Sequence, residues 1–187
     1  MSNKRNRVCP VELAGSLDNR LRKWLQNPRK ILSPYITEGM TVLDLGCGPG
    51  FFSIDLARMV GKSGRVIASD LQEEMLQKLR DKIQGTELEK RITLHRCAVD
   101  KIGLLEDVDF ILAFYMVHEI PNPNQGGFFR EIKSILKSDG RLFIVEPPFH
   151  VSRTAFNEMV KNAKDAGFTP TERPKVLFSK AVIMKMG

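Results

Sequence analysis

The sequence predicts an α/β domain with a doubly wound, mostly parallel sheet. Three observations carry that prediction. Short apolar runs alternate with stretches of helical periodicity from residue 40 onward. The first of these runs passes directly into a loop with glycine at positions 46, 48 and 50, the pattern of a buried parallel strand turning tightly into a helix. The last two apolar runs, within 171–186, lie too close together for a crossover helix and are expected to pair antiparallel.

The elements follow in order. Leu17, Leu21, Trp24, Leu25 and Leu32 fall near helical spacing and predict one amphipathic helix over 17–32. Strand one spans 40–45, and a helix over 51–60 follows the glycine loop. Gly61-Lys62-Ser63-Gly64 turns into strand two, 65–69, which Asp70 closes. A helix over 72–84 stops near Gly85, and the alternation of 91–97 gives strand three. The short apolar run 108–114 is strand four. A helix over 128–136 leads through a turn at Ser138-Asp139-Gly140 into strand five, 141–146. A helix over 152–166 ends at Gly167, and the two runs in 171–186, joined near Ser179-Lys180, complete the sheet.

Bulk properties narrow the class. At 187 residues the chain is one domain by length, with room for a real core. Its composition, 42% hydrophobic and 27% charged, is that of an ordinary globular protein. No apolar run approaches the ~18 residues a membrane span needs, and the basic stretch 1–10 lacks a signal-peptide core. A cytoplasmic protein with no membrane span is expected. The three cysteines, Cys9, Cys47 and Cys97, are scattered and odd in number, against a disulfide framework or structural zinc. His95 and Cys97 share one side of a strand, too few ligands for a metal, and no metal is expected. The net charge of +7 concentrates in 1–30, where Lys4, Arg5, Arg7, Arg20, Arg22, Lys23, Arg29 and Lys30 face only Glu12 and Asp18. That segment is either a patch for nucleic acid or a solvated helix face with a tail; no aromatic-interleaved basic run accompanies it.

The chemistry concentrates in Asp44-Leu45-Gly46-Cys47-Gly48-Pro49-Gly50-Phe51-Phe52. The glycines permit positive φ and leave bare backbone against a small polar ligand. A dinucleotide loop has the spacing G-x-G-x-x-G, and here Phe51 stands at the third glycine position. Pro49 removes an amide that a diphosphate would use, and Asp44 repels a pyrophosphate but suits an ammonium group. The loop therefore favours an amino-acid-bearing nucleoside. Asp70, about 20 residues beyond it at the end of strand two, can accept from both ribose hydroxyls. It can also cap the following helix, and the two roles coexist.

With these residues in place, the chain resembles the class I S-adenosylmethionine-dependent methyltransferases, among them the quinone-biosynthesis and related metabolite enzymes. The motif D-L-G-C-G-P-G-F-F is similar to their first motif, and the resemblance runs from about Met40 to the end. It implies the Rossmann-like methyltransferase fold, a mostly parallel seven-stranded sheet with an antiparallel last strand. It implies S-adenosyl-L-methionine as cofactor and S-adenosyl-L-homocysteine as product. Residues 38–187 are then the cofactor-binding domain and 1–37 an N-terminal helical segment. That segment, with Trp24 and Tyr35, either closes over the site as a lid or packs on the sheet's flank.

The same resemblance distributes the site. Asp44, Gly46, Cys47, Gly48, Gly50 and Phe51 bind the cofactor from the loop, Asp70 its ribose, and Leu71 and Met75 pack on adenine or belong to the core. After strand three the family usually carries an acid for the adenine amine. Here Cys97 stands at that place, so the backbone of Ala98 and Val99 is the expected contact. Ala113 and Phe114 meet the methionine part, and Tyr115 can offer its ring to the sulfonium. His118 either takes a proton from the acceptor or fixes its loop by hydrogen bonding. Glu146-Pro147-Pro148-Phe149-His150 superficially resembles the motif of nucleobase amino-methyltransferases, but it follows strand five rather than strand four and reads as a rigid exit loop.

Four functions are weighed. The first is methyl transfer to a small molecule, since the chain carries no appended substrate domain. The second is methyl transfer to RNA or protein through the basic N-terminal segment. The third is a module that binds S-adenosylmethionine without catalysis. A dinucleotide-dependent oxidoreductase is disfavoured by Pro49, Phe51 and the reversed last strand. Nothing in the sequence sets an oligomeric state.

Overall fold

The computed structural model describes residues 26–99 and 101–187. Its strands are β1 (Thr41–Leu45), β2 (Arg65–Asp70), β3 (Ile92–Arg96), β4 (Val108–Phe114), β5 (Leu136–Glu146), β6 (Phe168–Glu172) and β7 (Lys180–Met186). Among the described residues its helices are α1 (Pro28–Leu32), α2 (Ser53–Met59), α3 (Glu73–Ile83), α4 (Asn122–Ile135) and α5 (Arg153–Asp165), with a 3-10 turn at Val117–Glu119. The strands form one seven-stranded sheet in the order β3-β2-β1-β4-β5-β7-β6. Strands β1 to β5 run parallel, and β7 is antiparallel to both its neighbours, β5 and β6. The expected reversed last strand is therefore present.

Alternation along the strands divides the core in two. Val42, Phe110 and Phe143 meet Leu32, Leu56 and Leu79 of α1, α2 and α3 on one face. Leu43, Ile111 and Ile144 meet Phe129 of α4 and Phe156 of α5 on the other. Each such fully buried large side chain contributes roughly 1.5–3 kcal/mol. The strand order reverses between β1 and β4. Helices start on opposite faces there, so their carboxyl ends, at Leu45 and Phe114, leave a crevice between them.

Four boundaries differ from the sequence reading. The helix expected over 17–32 is not continuous; within the described residues it is only Pro28–Leu32. Asn27 is extended (ψ 110°) because a residue before proline is pushed out of the helical region, and its side chain caps the amide of Lys30. Residues 17–25, with Trp24, lie outside the described residues. Helix α4 begins six residues earlier than expected, at Asn122, although Asn-Pro-Asn-Gln-Gly-Gly reads as loop. Pro123 sits in its first turn, where the missing N–H has no partner to lose. Strand β5 extends back to Leu136, with the expected turn at 138–140 absorbed as an irregularity opposite Asp109. Strand β6 lies at 168–172, ahead of the apolar residues Val176 to Phe178, which form a loop instead. Tyr35 stands on the flank of the sheet, 5.4 Å from the ring of Phe143, with its hydroxyl donating to Glu172.

Candidate active site

The glycine loop is tied to the end of β2 before any ligand enters. The amides of Gly46 and Cys47 both donate to the carbonyl of Ser69, at 2.9 and 3.0 Å. All three glycines have positive φ (68°, 54° and 84°), but for different reasons. A Cβ on Gly46 would lie 2.9 Å from Cβ of Met116, and one on Gly50 only 2.3 Å from Cδ1 of Leu79. A Cβ on Gly48 would meet nothing within 4 Å. Gly46 and Gly50 let the loop pack; Gly48 leaves bare backbone against open space.

Asp70 clamps this loop to the start of α3. One carboxylate oxygen accepts from the Gly48 amide at 2.9 Å, and the other from the Gln72 amide, also at 2.9 Å. Its side chain is almost wholly buried. Burial pushes its pKa up, and the amides of Gln72, Gly48 and Leu71 partly offset that rise. An ionised carboxylate has about four acceptor sites, so each oxygen retains capacity toward the crevice. Asp44, also buried, accepts from the Ser53 hydroxyl at 2.6 Å, which fixes the first turn of α2 beneath the loop.

A cavity of about 560 Å³ opens at this edge, a volume in the range of small-molecule sites. Of the residues expected there, Asp44, Gly46, Cys47, Gly48 and Phe51 line it from the loop, and Asp70, Leu71 and Met75 from the end of β2 and α3. Cys97, Ala98 and Val99 line it after β3, and Phe114 and Tyr115 after β4. Gly50, Ala113 and His118 do not line it. Gly50 lies behind the loop against α3, Ala113 is buried in the sheet, and His118 turns toward β5. The Ala98 amide is bonded to the Lys101 carbonyl at 2.9 Å. Burial raises the pKa of Cys47, helped by the charges of Asp44 and Asp70, and burial likewise raises that of Cys97. Cys47 packs in the core as a small apolar thiol, while Cys97 is half-buried beside Ser69.

Sequence reasoning missed part of the wall. Phe52 lines the cavity and links Phe51 (5.0 Å between ring centroids) to Phe114 (4.2 Å); Tyr115 follows at 4.5 Å. Four aromatic rings thus form a continuous wall beside the loop. Phe52 is the last residue of the motif itself, and its position there was the signal for it. Pro123, Asn124, Gly127, Phe128 and Arg130 also line the cavity, brought there by the early start of α4. Only the proline signature at that helix start pointed to them.

Tyr115 holds a left-handed backbone conformation (φ 60°), costly for a bulky residue. It is secured from three sides. Its amide donates to the Val145 carbonyl at 2.8 Å, and its hydroxyl meets the Ser179 hydroxyl at 2.6 Å and the side-chain amide of Gln26. The ring faces the cavity while the hydroxyl is engaged elsewhere. His118 Nδ1 lies 2.5 Å from a carboxylate oxygen of Glu146, which is fully buried at the end of β5. Among the described residues no cluster of metal-ligating side chains occurs, and no helix is long and apolar enough to cross a membrane.

The residues fit S-adenosylmethionine. Bare backbone at Gly48 leaves room for the ligand chain, Asp70 retains acceptor sites for two hydroxyls, and the aromatic wall suits a cation. The comparisons agree. The sequence model of a family described as a methyltransferase domain matches residues 36–177. Demethylmenaquinone methyltransferase of Lactobacillus johnsonii is 33% identical over 112 residues, covering 59% of this chain and 45% of that protein. The ubiquinone/menaquinone biosynthesis C-methyltransferase UbiE of Geobacter sulfurreducens is 29% identical over 126 residues, 67% of this chain and 48% of that one. The chain thus spans about half the length of the curated relatives it matches. The crystal structure of a SAM-dependent methyltransferase from Aquifex aeolicus superimposes with a TM-score of 0.86 at 30% identity, covering 96% of this chain and all of that one. The chain belongs to the class I S-adenosylmethionine-dependent methyltransferases.

Proposed function

We propose that this protein methylates a small apolar acceptor of the quinone class. The observation that carries the reading is the wall of Phe51, Phe52, Phe114 and Tyr115 beside the glycine loop, which offers apolar and π surface where an acceptor would meet the donor. The two relatives named for menaquinone and ubiquinone chemistry support the acceptor class.

When bound, S-adenosylmethionine supplies an electrophilic sulfonium methyl, open to displacement in line with the leaving sulfur. The chain's own residues then bind, orient and exclude water. Asp70 accepts from the ribose hydroxyls while the Gly48 and Gln72 amides hold its carboxylate still. Asp44 contributes negative charge near the ammonium end. The Tyr115 ring attracts the sulfonium, worth roughly 0.5–2 kcal/mol. His118 acts as a positioning residue in this reading, fastening the 115–119 segment to β5 through Glu146.

Calorimetric titration and a product assay test the proposal. We expect binding of S-adenosylmethionine and S-adenosylhomocysteine but not NAD, and S-adenosylhomocysteine release with a demethylated naphthoquinone or benzoquinone kept in its reduced hydroquinone form, whose electron-rich ring carbon attacks the sulfonium methyl and then gives up its proton to solvent. Release only with RNA or protein acceptors would overturn the acceptor class. Binding without turnover on any acceptor would reduce the protein to a cofactor-binding module.

A further inference from the structure

Beyond the cavity, one surface stands out by chemistry. Phe149 is 90% exposed, Phe178 63% and Leu177 51%, although all three are large and apolar. They sit on two loops that the β5–β7 pairing brings together, since Glu146 at the end of β5 is opposite Lys180 at the start of β7. Lys180 stitches the loops to each other: its ammonium donates to the Val151 carbonyl at 2.7 Å and reaches that of Pro148 at 3.5 Å. Each loop also has a buried valine, Val151 on one and Val176 on the other, rooted in the core. The apolar tips are thus held outward by anchored bases.

Phe178 makes the outward presentation costly. Its φ of 50° is a left-handed conformation, which costs a bulky residue about 1–2 kcal/mol that glycine would not incur. The loop is nevertheless fixed, with the Ser179 amide donating to the Val176 carbonyl at 3.1 Å and the Ser179 hydroxyl meeting Tyr115. Backbone strain that exposes an aromatic ring calls for a use of that ring.

Charge identifies the partner. In the flanking stretches 146–154 and 172–180 the cations are Arg153, Arg173, Lys175 and Lys180, and the only acids are Glu146 and Glu172. Both acids are engaged: Glu146 is buried against His118, and Glu172 accepts from Tyr35. Exposed apolar tips flanked along the chain by exposed Arg153, Lys175 and Arg173, the last with its guanidinium 5.6 Å from the Phe156 ring centroid, match a surface with an apolar interior and anionic headgroups. We infer that Phe149, Leu177 and Phe178 dip into an anionic lipid surface, setting the Tyr115 end of the cleft against the bilayer. The inference rests on this surface and not on the identity of the methyl acceptor.

The test is sedimentation of the full chain with vesicles of phosphatidylcholine and phosphatidylglycerol, beside vesicles of phosphatidylcholine alone. We expect binding to the anionic vesicles that weakens with salt, falling about tenfold for each aromatic tip removed in Phe149→Ser and Phe178→Gly. Unchanged S-adenosylmethionine affinity in those variants shows that they fold, and a wild-type chain that fails to bind the cofactor would count against the methyltransferase reading instead. The inference is overturned by no binding to anionic vesicles at low salt, by equal binding to neutral vesicles, or by binding unaffected by both substitutions. A concentration-dependent dimer abolished by the same variants, with vesicles left unbound, would overturn it in favour of a second copy. RNA binding lost in those variants, again without vesicle binding, would overturn it in favour of nucleic acid.

Discussion

His118 and Glu146 meet twice: ring Nδ1 lies 2.5 Å from one carboxylate oxygen, and the backbone amide of the same histidine donates to the other at 3.2 Å. A fully buried carboxylate at the end of β5 thereby closes the 3-10 turn that follows β4. Burial alone would lower the His118 pKa. The bond and charge of Glu146, with the charge of Glu119, outweigh it and raise the value above 6.5.

The raised value fixes a sign. A histidine that gains a partner on folding contributes its full stability below its unfolded pKa of about 6.5, and loses that contribution as pH rises through the folded value. Glu146→Gln is expected to cost about 1–3 kcal/mol near pH 6 and less well above the folded pKa. Denaturant unfolding at the two pH values checks this, and the imidazole resonance of His118 should titrate lower in the variant. A cost that grows with pH would contradict the pairing.

In the proposed binding mode, Asp70 holds the cofactor in a form that acid removes. Asp70→Ala deletes the acceptor of the Gly48 and Gln72 amides along with the proposed ribose partner, so S-adenosylhomocysteine affinity should fall at least about tenfold. Because burial raises the carboxyl pKa, wild-type affinity should decline on acidification before pH reaches the ordinary aspartate value of 3.8. Calorimetry across that range reads both effects. Affinity indifferent to the substitution would remove Asp70 from the site.

Two glycines two residues apart should respond differently. Gly50→Ala drives a Cβ to 2.3 Å from Leu79 in a left-handed backbone, and we expect a loss of about 2–4 kcal/mol in unfolding free energy. Gly48→Ala meets no atom within 4 Å, so its stability cost is the backbone term alone, about 1–2 kcal/mol. Its methyl group would instead occupy the cleft, and cofactor affinity should fall more than stability does. Thermal unfolding and titration of both variants separate the two roles.

These contrasts show what the sequence could carry. The strand-loop-acid pattern from Thr41 to Gly50, and Asp70 beyond it, was legible because backbone conformation and chain spacing determine it locally. Gly50 was legible as loop but not as a packing contact, since Leu79 reaches it from the next helix but one, α3. The early start of α4 was hidden because asparagine, proline and glycine there obey helix-start rules that look like loop rules. The bond between Tyr115 and Ser179 depends on β7 lying beside β5, a pairing no local pattern encodes. For the same reason the loop side of the cavity was readable, three rings of its aromatic wall included, and the side contributed by α4 was not.

Tyr115 decides whether that wall works through its ring or its hydroxyl. The hydroxyl is taken up by Ser179 and Gln26, so it has no free role as an acid, while the ring lines the cavity. Tyr115→Phe keeps the ring and should lower kcat less than about fivefold, with a modest stability loss from the two missing bonds. Tyr115→Leu keeps apolar volume but removes the π face, and should lower kcat/KM by about tenfold, the upper worth of a cation–π contact near 2 kcal/mol being larger still. Steady-state kinetics on both variants, with S-adenosylhomocysteine release as the readout, distinguish them. If the phenylalanine variant loses as much as the leucine variant, the hydroxyl and its bond to Ser179 carry the function, and the ring is only a wall.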